Sequence, residues 1–212
     1  KLYEQTAEQS GRRGDRGGRY SFRNLAPLAG APSVPGFNGP DPKIVAVADQ
    51  YARENGIELK RQAEYVQVDE ARARRIADAY DAMAHAPDDP AVKAAYEDLI
   101  RQTVGQYEAL AKSGYKFWFI DTEIPSNAEY ASSPWNALRD MRLNQQMGVF
   151  PTTDGFGSSE VDVSKNPLLA DTGIKWPVGG VDGPLRPVLA NDLFRAVHDA
   201  FGHGIEGSGF RA

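Results

Sequence analysis

The 212-residue sequence contains no cysteine, only three histidines and no long apolar run. The absence of cysteine excludes disulfides, thiolate metal sites and cysteine nucleophiles, so any metal must be bound by histidine and carboxylate side chains. No stretch approaches the roughly 18 consecutive apolar residues of a membrane helix, and the polar first residues hold no signal-peptide core. We therefore expect a soluble protein that does not contact a membrane.

The charge is unevenly distributed along the chain. The net charge is −5, which argues against a dedicated nucleic-acid-binding protein, but residues 1–24 carry a local charge of +3. Residues 10–19 are rich in glycine and arginine, and residues 25–42 contain five prolines. We predict a flexible basic arm or linker over residues 1–40 and a single globular domain over residues 41–212. Nucleic acid or an acidic partner would bind only through the arm, and a plain solvated linker is the alternative.

Capping residues and prolines mark three helices in the first half of this domain. Apolar residues at near-helical spacing predict a helix over residues 42–55, and Asn-Gly ends it. A second helix is expected from Asp69 to a stop at Pro87, and a third from Pro90 to Ser113. The turn between the last two is short, so we expect them to pack as an antiparallel hairpin. His85 is interpreted as a surface residue or helix cap.

Aromatic and apolar runs predict a small sheet in the second half. The aromatic run at residues 115–121 is typical of a strand, and a second short strand is expected at residues 148–151. Between them, Pro134 opens an amphipathic helix that Gly148 closes.

Two glycine-containing segments are interpreted as irregular. Residues 155–159 lack the lysine of a phosphate-binding loop, so they are interpreted as a surface turn. Residues 166–187 contain four prolines and four glycines, which predicts a long irregular connection. The fold class is therefore α+β, a predominantly helical domain with a small β-sheet.

Two of the three histidines lie at the end of the last predicted helix. Asn191 is its expected cap, and its buried stripe is expected to be Leu193, Val197 and Phe201. His198 and His203 are separated by about 140° on an ideal α-helix, so both rings reach one ion only if the last turn unwinds. Gly202 and Gly204 would allow this. Otherwise His203 caps the helix and His198 binds Asp199 or a carbonyl, and the spacing leaves both readings open.

The segment His198-Asp199-Ala200-Phe201-Gly202-His203 resembles the H-E-x-x-G-H element of the pterin-dependent aromatic amino acid hydroxylases, with Asp199 in place of Glu. The resemblance implies that His198 and His203 bind a non-haem iron together with a downstream carboxylate. Glu206 is the acidic residue that follows His203, and Asp121 and Glu123 are further candidates because they follow the aromatic strand.

A second resemblance extends from Trp118 to Ala212. Segments such as Asn191-Asp192-Leu193-Phe194-Arg195 and Gly209-Phe210-Arg211-Ala212 are similar to an uncharacterised domain of tailed-phage proteins, including large multi-domain ones. Proteins of that kind continue with further acidic residues, so the resemblance implies that the domain is truncated at Ala212 and that the third ligand could lie beyond it. It also implies the virion or the infected cytoplasm as location, and other chains or domains of a phage particle as partners.

Together these patterns predict a phage-encoded metal-binding domain that is similar to a non-haem iron oxygenase. His198, His203 and Glu206 are the expected metal ligands, Asp199 is the expected catalytic residue, and the cofactor is a divalent metal such as Fe(II). The alternative is a structural or interaction module without catalysis. A zinc hydrolase is weaker, because the usual peptidase motif places its second histidine four residues after the first rather than five.

Overall fold

A computed structural model describes residues 40–59, 68–155 and 165–205. The expectations for residues 1–39, for residues 156–159 and for Glu206 lie outside this part of the chain. Within it, the fold is α+β and predominantly helical, with two small two-stranded sheets, which confirms the predicted fold class. None of the helices in these three ranges is both long enough and apolar enough to span a bilayer.

The first three helices begin where aspartate caps and prolines predict. They are α1 (Pro42–Glu54), α2 (Glu70–Asp81) and α3 (Pro90–Lys112), and the carboxylates of Asp41, Asp69 and Asp89 accept hydrogen bonds from their first backbone amides. Helix α2 ends six residues before Pro87, earlier than predicted. The predicted hairpin packing of α2 on α3 is wrong, because no residue of α2 is buried.

A parallel strand pair forms the first sheet. Strand β1 (Lys116–Phe119) pairs in register with β2 (Gln146–Val149), and α4 (Pro125–Ala131) and α5 (Pro134–Asn144) lie between them in sequence. The sequence did not predict α4, and it placed the second strand two residues too late.

Gly148 lies in β2 and does not close α5 as predicted. The helix ends instead at Gln145, whose φ of 55° is left-handed and breaks the helical repeat. A Cβ on Gly148 would lie 2.7 Å from the ring of Trp118, so only glycine lets the strand approach that buried indole. Close packing of β2 against Trp118 therefore requires glycine at this position.

An antiparallel hairpin replaces the predicted irregular connection over residues 166–187. After a short helical segment α6 (Thr152–Gly155) and a 3-10 turn (Pro167–Leu169), β3 (Asp171–Pro177) pairs with β4 (Leu185–Leu189). Trp176 of β3 is 2% exposed and anchors the hairpin in the core.

The chain then enters α7 (Ala190–Val197), which continues directly into a π-helix (His198–Gly204). Asn191 was predicted to cap this helix, but it lies inside α7 and Leu189 is the residue at the cap position. Asp192 stabilises the helix start, since its buried carboxylate accepts from the backbone amides of Leu189 and Thr152. Along α7 and the π-helix, the predicted buried stripe is present: Leu193 and Val197 lie in the core and Phe201 packs against it.

Candidate metal centre

The π-helix brings the two histidines together. In an α-helix the five-residue spacing would turn the second ring about 140° away from the first. In a π-helix each backbone hydrogen bond spans five residues, so the residue five positions on lies much nearer to the same side of the helix as the first. The ring centroids of His198 and His203 are accordingly 4.9 Å apart, with an interplanar angle of 80°. The segment therefore departs from α geometry, which is the condition under which both rings could reach one ion.

Asp199 completes a group of three donors. One ligand atom from each of His198, Asp199 and His203 lies within 4.8 Å of the others, which makes this cluster able to hold a metal ion. Asp199 Oδ1 is 3.0 Å from His198 Nδ1, a hydrogen-bond distance. The side chain of His198 is 55% exposed and that of Asp199 is 25% exposed, so the cluster is open to solvent on the His198 side.

The opposite side of the π-helix is fixed to the core. Ala200 is fully buried, and Gly204 packs so closely on α1 that a Cβ there would lie 2.8 Å from Cδ1 of Ile44. The backbone amide of Asp41 donates to the carbonyl oxygen of Gly204 over 2.8 Å. The start of α1 therefore holds the end of the π-helix, and the two histidines are carried by a segment with little freedom to slide.

Burial raises the pKa of the Asp199 carboxyl. The hydrogen bond from His198 and the electrostatic attraction of His198, His203 and Arg195 act in the opposite direction, but they do not outweigh the loss of hydration. Arg195 is held by its own bond from Nη1 to the carbonyl oxygen of Phe150, 2.9 Å away. The carboxylate thus lacks full compensation of its negative charge, which is an environment that favours a cation.

A hydrogen-bond network around Tyr130 was not predicted from the sequence. Tyr130 of α4 accepts a hydrogen bond from the Gly148 amide over 3.0 Å and donates to the carboxylate of Asp140. Burial raises the pKa of Tyr130, and the negative charges of Asp140 and Asp199 add to this effect. The hydroxyl therefore stays neutral and protonated. Tyr130 lies in the unpredicted helix α4, so no periodic pattern pointed to it.

The other candidate carboxylates do not join the cluster in the described residues. Asp121 Oδ1 accepts from the backbone amide of Glu123 over 3.0 Å, which stabilises the turn before α4, and Glu123 is exposed. His85 is exposed in the segment after α2, as predicted. Glu206 lies outside the described residues, so its proposed part as a ligand stays a prediction.

Comparisons of the chain with protein-family models, with curated proteins and with solved structures found no match.

Proposed function

We propose that this protein binds a divalent first-row metal through His198, Asp199 and His203, and that it has non-haem iron chemistry of the two-histidine, one-carboxylate type. One observation carries the proposal: the π-helix places two histidines and one aspartate so that one ligand atom of each lies within 4.8 Å of the others. Two neutral imidazoles and one carboxylate are a donor set that iron and zinc both accept. Asp199 takes the place of the downstream carboxylate that the hydroxylase resemblance implies.

The arrangement suits a metal with open coordination positions. All three donors come from one helical turn, so they can approach an ion from one side only. Donors that share an ion at about 2.0 to 2.2 Å lie roughly 3 Å apart, so binding would draw these side chains together by rotation of their χ angles. The remaining positions would face solvent beside the exposed ring of His198. Such positions could take water, dioxygen or an oxygen-bearing substrate.

The π-helix also removes the sequence-based objection to zinc. The five-residue spacing counted against a zinc site on an α-helix, but the rings converge in the π-helix. Iron and zinc therefore have to be separated by measurement. Fe(II) is the proposed ion because the two-histidine, one-carboxylate set leaves an open face.

A non-catalytic module of a phage particle is the second candidate. It is favoured by the 3.0 Å contact between His198 Nδ1 and Asp199 Oδ1, because a histidine that is satisfied by its neighbour can serve packing alone. In that case the cluster would stabilise the end of α7 without binding an ion, and phage partners would bind elsewhere on the chain.

Metal-dependent stabilisation separates the two candidates. The purified chain is treated with chelator, and its melting temperature is measured with Fe(II) under anaerobic conditions and with Zn(II). A ligand at a hundred times its dissociation constant stabilises a fold by about 2.7 kcal/mol, so we expect a clear rise in melting temperature. His198→Ala should abolish this rise, and His85→Ala is the matched control that should keep it. No rise with any first-row ion, or an equal rise in His198→Ala, would reject the metal site.

A further inference from the structure

Arg195 lies one helical turn before the metal cluster. It precedes His198 by three residues and Asp199 by four, and residues at these two spacings are neighbours on a helix surface. Side chains of a helix lean towards its amino end, so those of His198 and Asp199 lean towards Arg195. The positive charge of Arg195 accordingly lowers the pKa of Asp199, against the larger effect of burial. The arginine therefore belongs to the immediate surroundings of the cluster.

The guanidinium of Arg195 is held at the end of β2 and keeps unused donors. Its Nη1 donates to the carbonyl oxygen of Phe150 over 2.9 Å, which leaves its other N–H groups. In the described part of the chain this side chain makes no other hydrogen bond, and none of its nitrogens is both buried and unpartnered. The remaining donors therefore reach solvent, since the side chain is partly exposed. A guanidinium fixed in this way can bind an oxyanion at a small cost in side-chain freedom.

Metal binding would make the local charge positive. In the metal-free protein the charges of Arg195 and Asp199 oppose each other, and the imidazoles that bind a metal are neutral. A divalent ion held by the cluster would add two positive charges that nothing in this group of four side chains balances. We therefore expect the metal-loaded protein to attract an anion more strongly than the metal-free protein does, and the anion in turn to strengthen metal binding.

We propose that Arg195 and the metal together bind a small carboxylate, so that the substrate of this protein is an organic acid. The inference rests on the proposed function and deepens it by naming the substrate class. The single guanidinium suits the one charge and two oxygens of a carboxylate. The open coordination positions would lie beside the exposed ring of His198, which is the neighbour of Arg195 along the helix, so one anion can contact both.

Titration of the Zn(II)-loaded full chain with acetate, followed by amide chemical shifts at constant ionic strength, tests the proposal. The dissociation constant of acetate should rise at least about tenfold in Arg195→Gln, because charge-assisted hydrogen bonds are lost. Arg195→Lys keeps the charge without the planar fork, so its acetate affinity should fall between the two. Arg101→Gln is the matched control, since it removes the same charge from an arginine of α3 that already pairs with Asp98. It should leave acetate binding unchanged.

The rise in melting temperature with Zn(II) is measured first for every variant, because it shows that the variant folds and binds the metal. A wild type without this rise would reject the metal site and the carboxylate site together. A rise combined with equal acetate affinity in wild type and Arg195→Gln, or with equal affinity in the presence and absence of metal, would overturn the carboxylate site alone. If Arg195→Gln does not bind metal, Arg195→Lys decides: acetate affinity equal to that of wild type would overturn the proposal.

Discussion

The contact between Gly204 and Ile44 gives a quantitative test of how the histidine segment is held. An alanine Cβ at residue 204 would lie 2.8 Å from Ile44 Cδ1, and Ile44 is fully buried, so its side chain has little room to move. Overpacking of this kind costs about 1–3 kcal/mol, against a gain of up to about 1 kcal/mol from replacing a helical glycine. We expect Gly204→Ala to lower the free energy of unfolding by about 1–2 kcal/mol.

Gly202 provides the matched control two residues earlier in the same π-helix. Its added Cβ would meet only His198, at 3.7 Å from Cδ2, which is ordinary van der Waals contact. Gly202→Ala should therefore raise the free energy of unfolding by about 0.5–1 kcal/mol. Urea unfolding of both variants measures the difference, which should be about 2 kcal/mol in favour of Gly202→Ala.

A double-mutant cycle shows whether the cost comes from the named contact. Ile44→Val removes Cδ1 and should alone cost about 1 kcal/mol, but it should cost less in the Gly204→Ala background because it relieves the clash. The coupling should exceed about 0.5 kcal/mol. Additive costs, or a Gly204→Ala variant as stable as Gly202→Ala, would refute the packing of the π-helix against α1.

Three further predictions concern the buried polar groups and the arm. Burial raises the pKa of Asp140 above its unfolded value, so the ionised carboxylate destabilises the fold at neutral pH, and this cost disappears as the pH falls through the raised pKa. In urea unfolding from pH 7 to pH 4, the wild type should therefore gain stability relative to Asp140→Asn. A stability difference that stays constant with pH would contradict this. The buried Thr152 hydroxyl donates to Asp192 over 2.6 Å, so Thr152→Val should lower the free energy of unfolding by about 1.5–3 kcal/mol, whereas exposed Thr153→Val should stay within about 0.5 kcal/mol. Deleting residues 1–24 should move the melting temperature by only about a degree or two, since the basic arm is predicted to contribute little to the core; a cooperative loss of the fold in thermal scans would show the opposite.

Local signals predicted the helices that begin with aspartate and proline. Asp41 and Asp89 each precede a proline and cap the helix that follows, so the starts of α1 and α3 were readable from the sequence. The hairpin of β3 and β4 was missed because its prolines and glycines are typical of loops. Pro187 is tolerated in β4, which pairs only with β3 in the described sheets. The burial of Trp176 against Phe117 and Tyr107 is a tertiary contact that no local pattern shows.

Only part of the candidate site could be predicted from the sequence, for a similar reason. The rarity of histidine pointed to His198 and His203, but their convergence depends on a π-helix that spacing and propensity do not predict. From the sequence, Asp199 was assigned a catalytic part and Glu206 was named as the carboxylate ligand. In the structure the Asp199 carboxylate returns to His198 Nδ1, which places it among the donors. The π-helix that carries these side chains is held on α1 at Gly204, a tertiary contact that a single segment of sequence cannot reveal.

The most direct test of the metal site is a crystal structure of the full chain grown with Fe(II) or Zn(II), with anomalous diffraction recorded on both sides of the metal absorption edge. The account predicts one strong anomalous peak within about 2.0 to 2.2 Å of a nitrogen of His198, a nitrogen of His203 and an oxygen of Asp199. A map without a peak between these three side chains, or with the metal bound at other residues while His198 keeps its bond to Asp199, would contradict it.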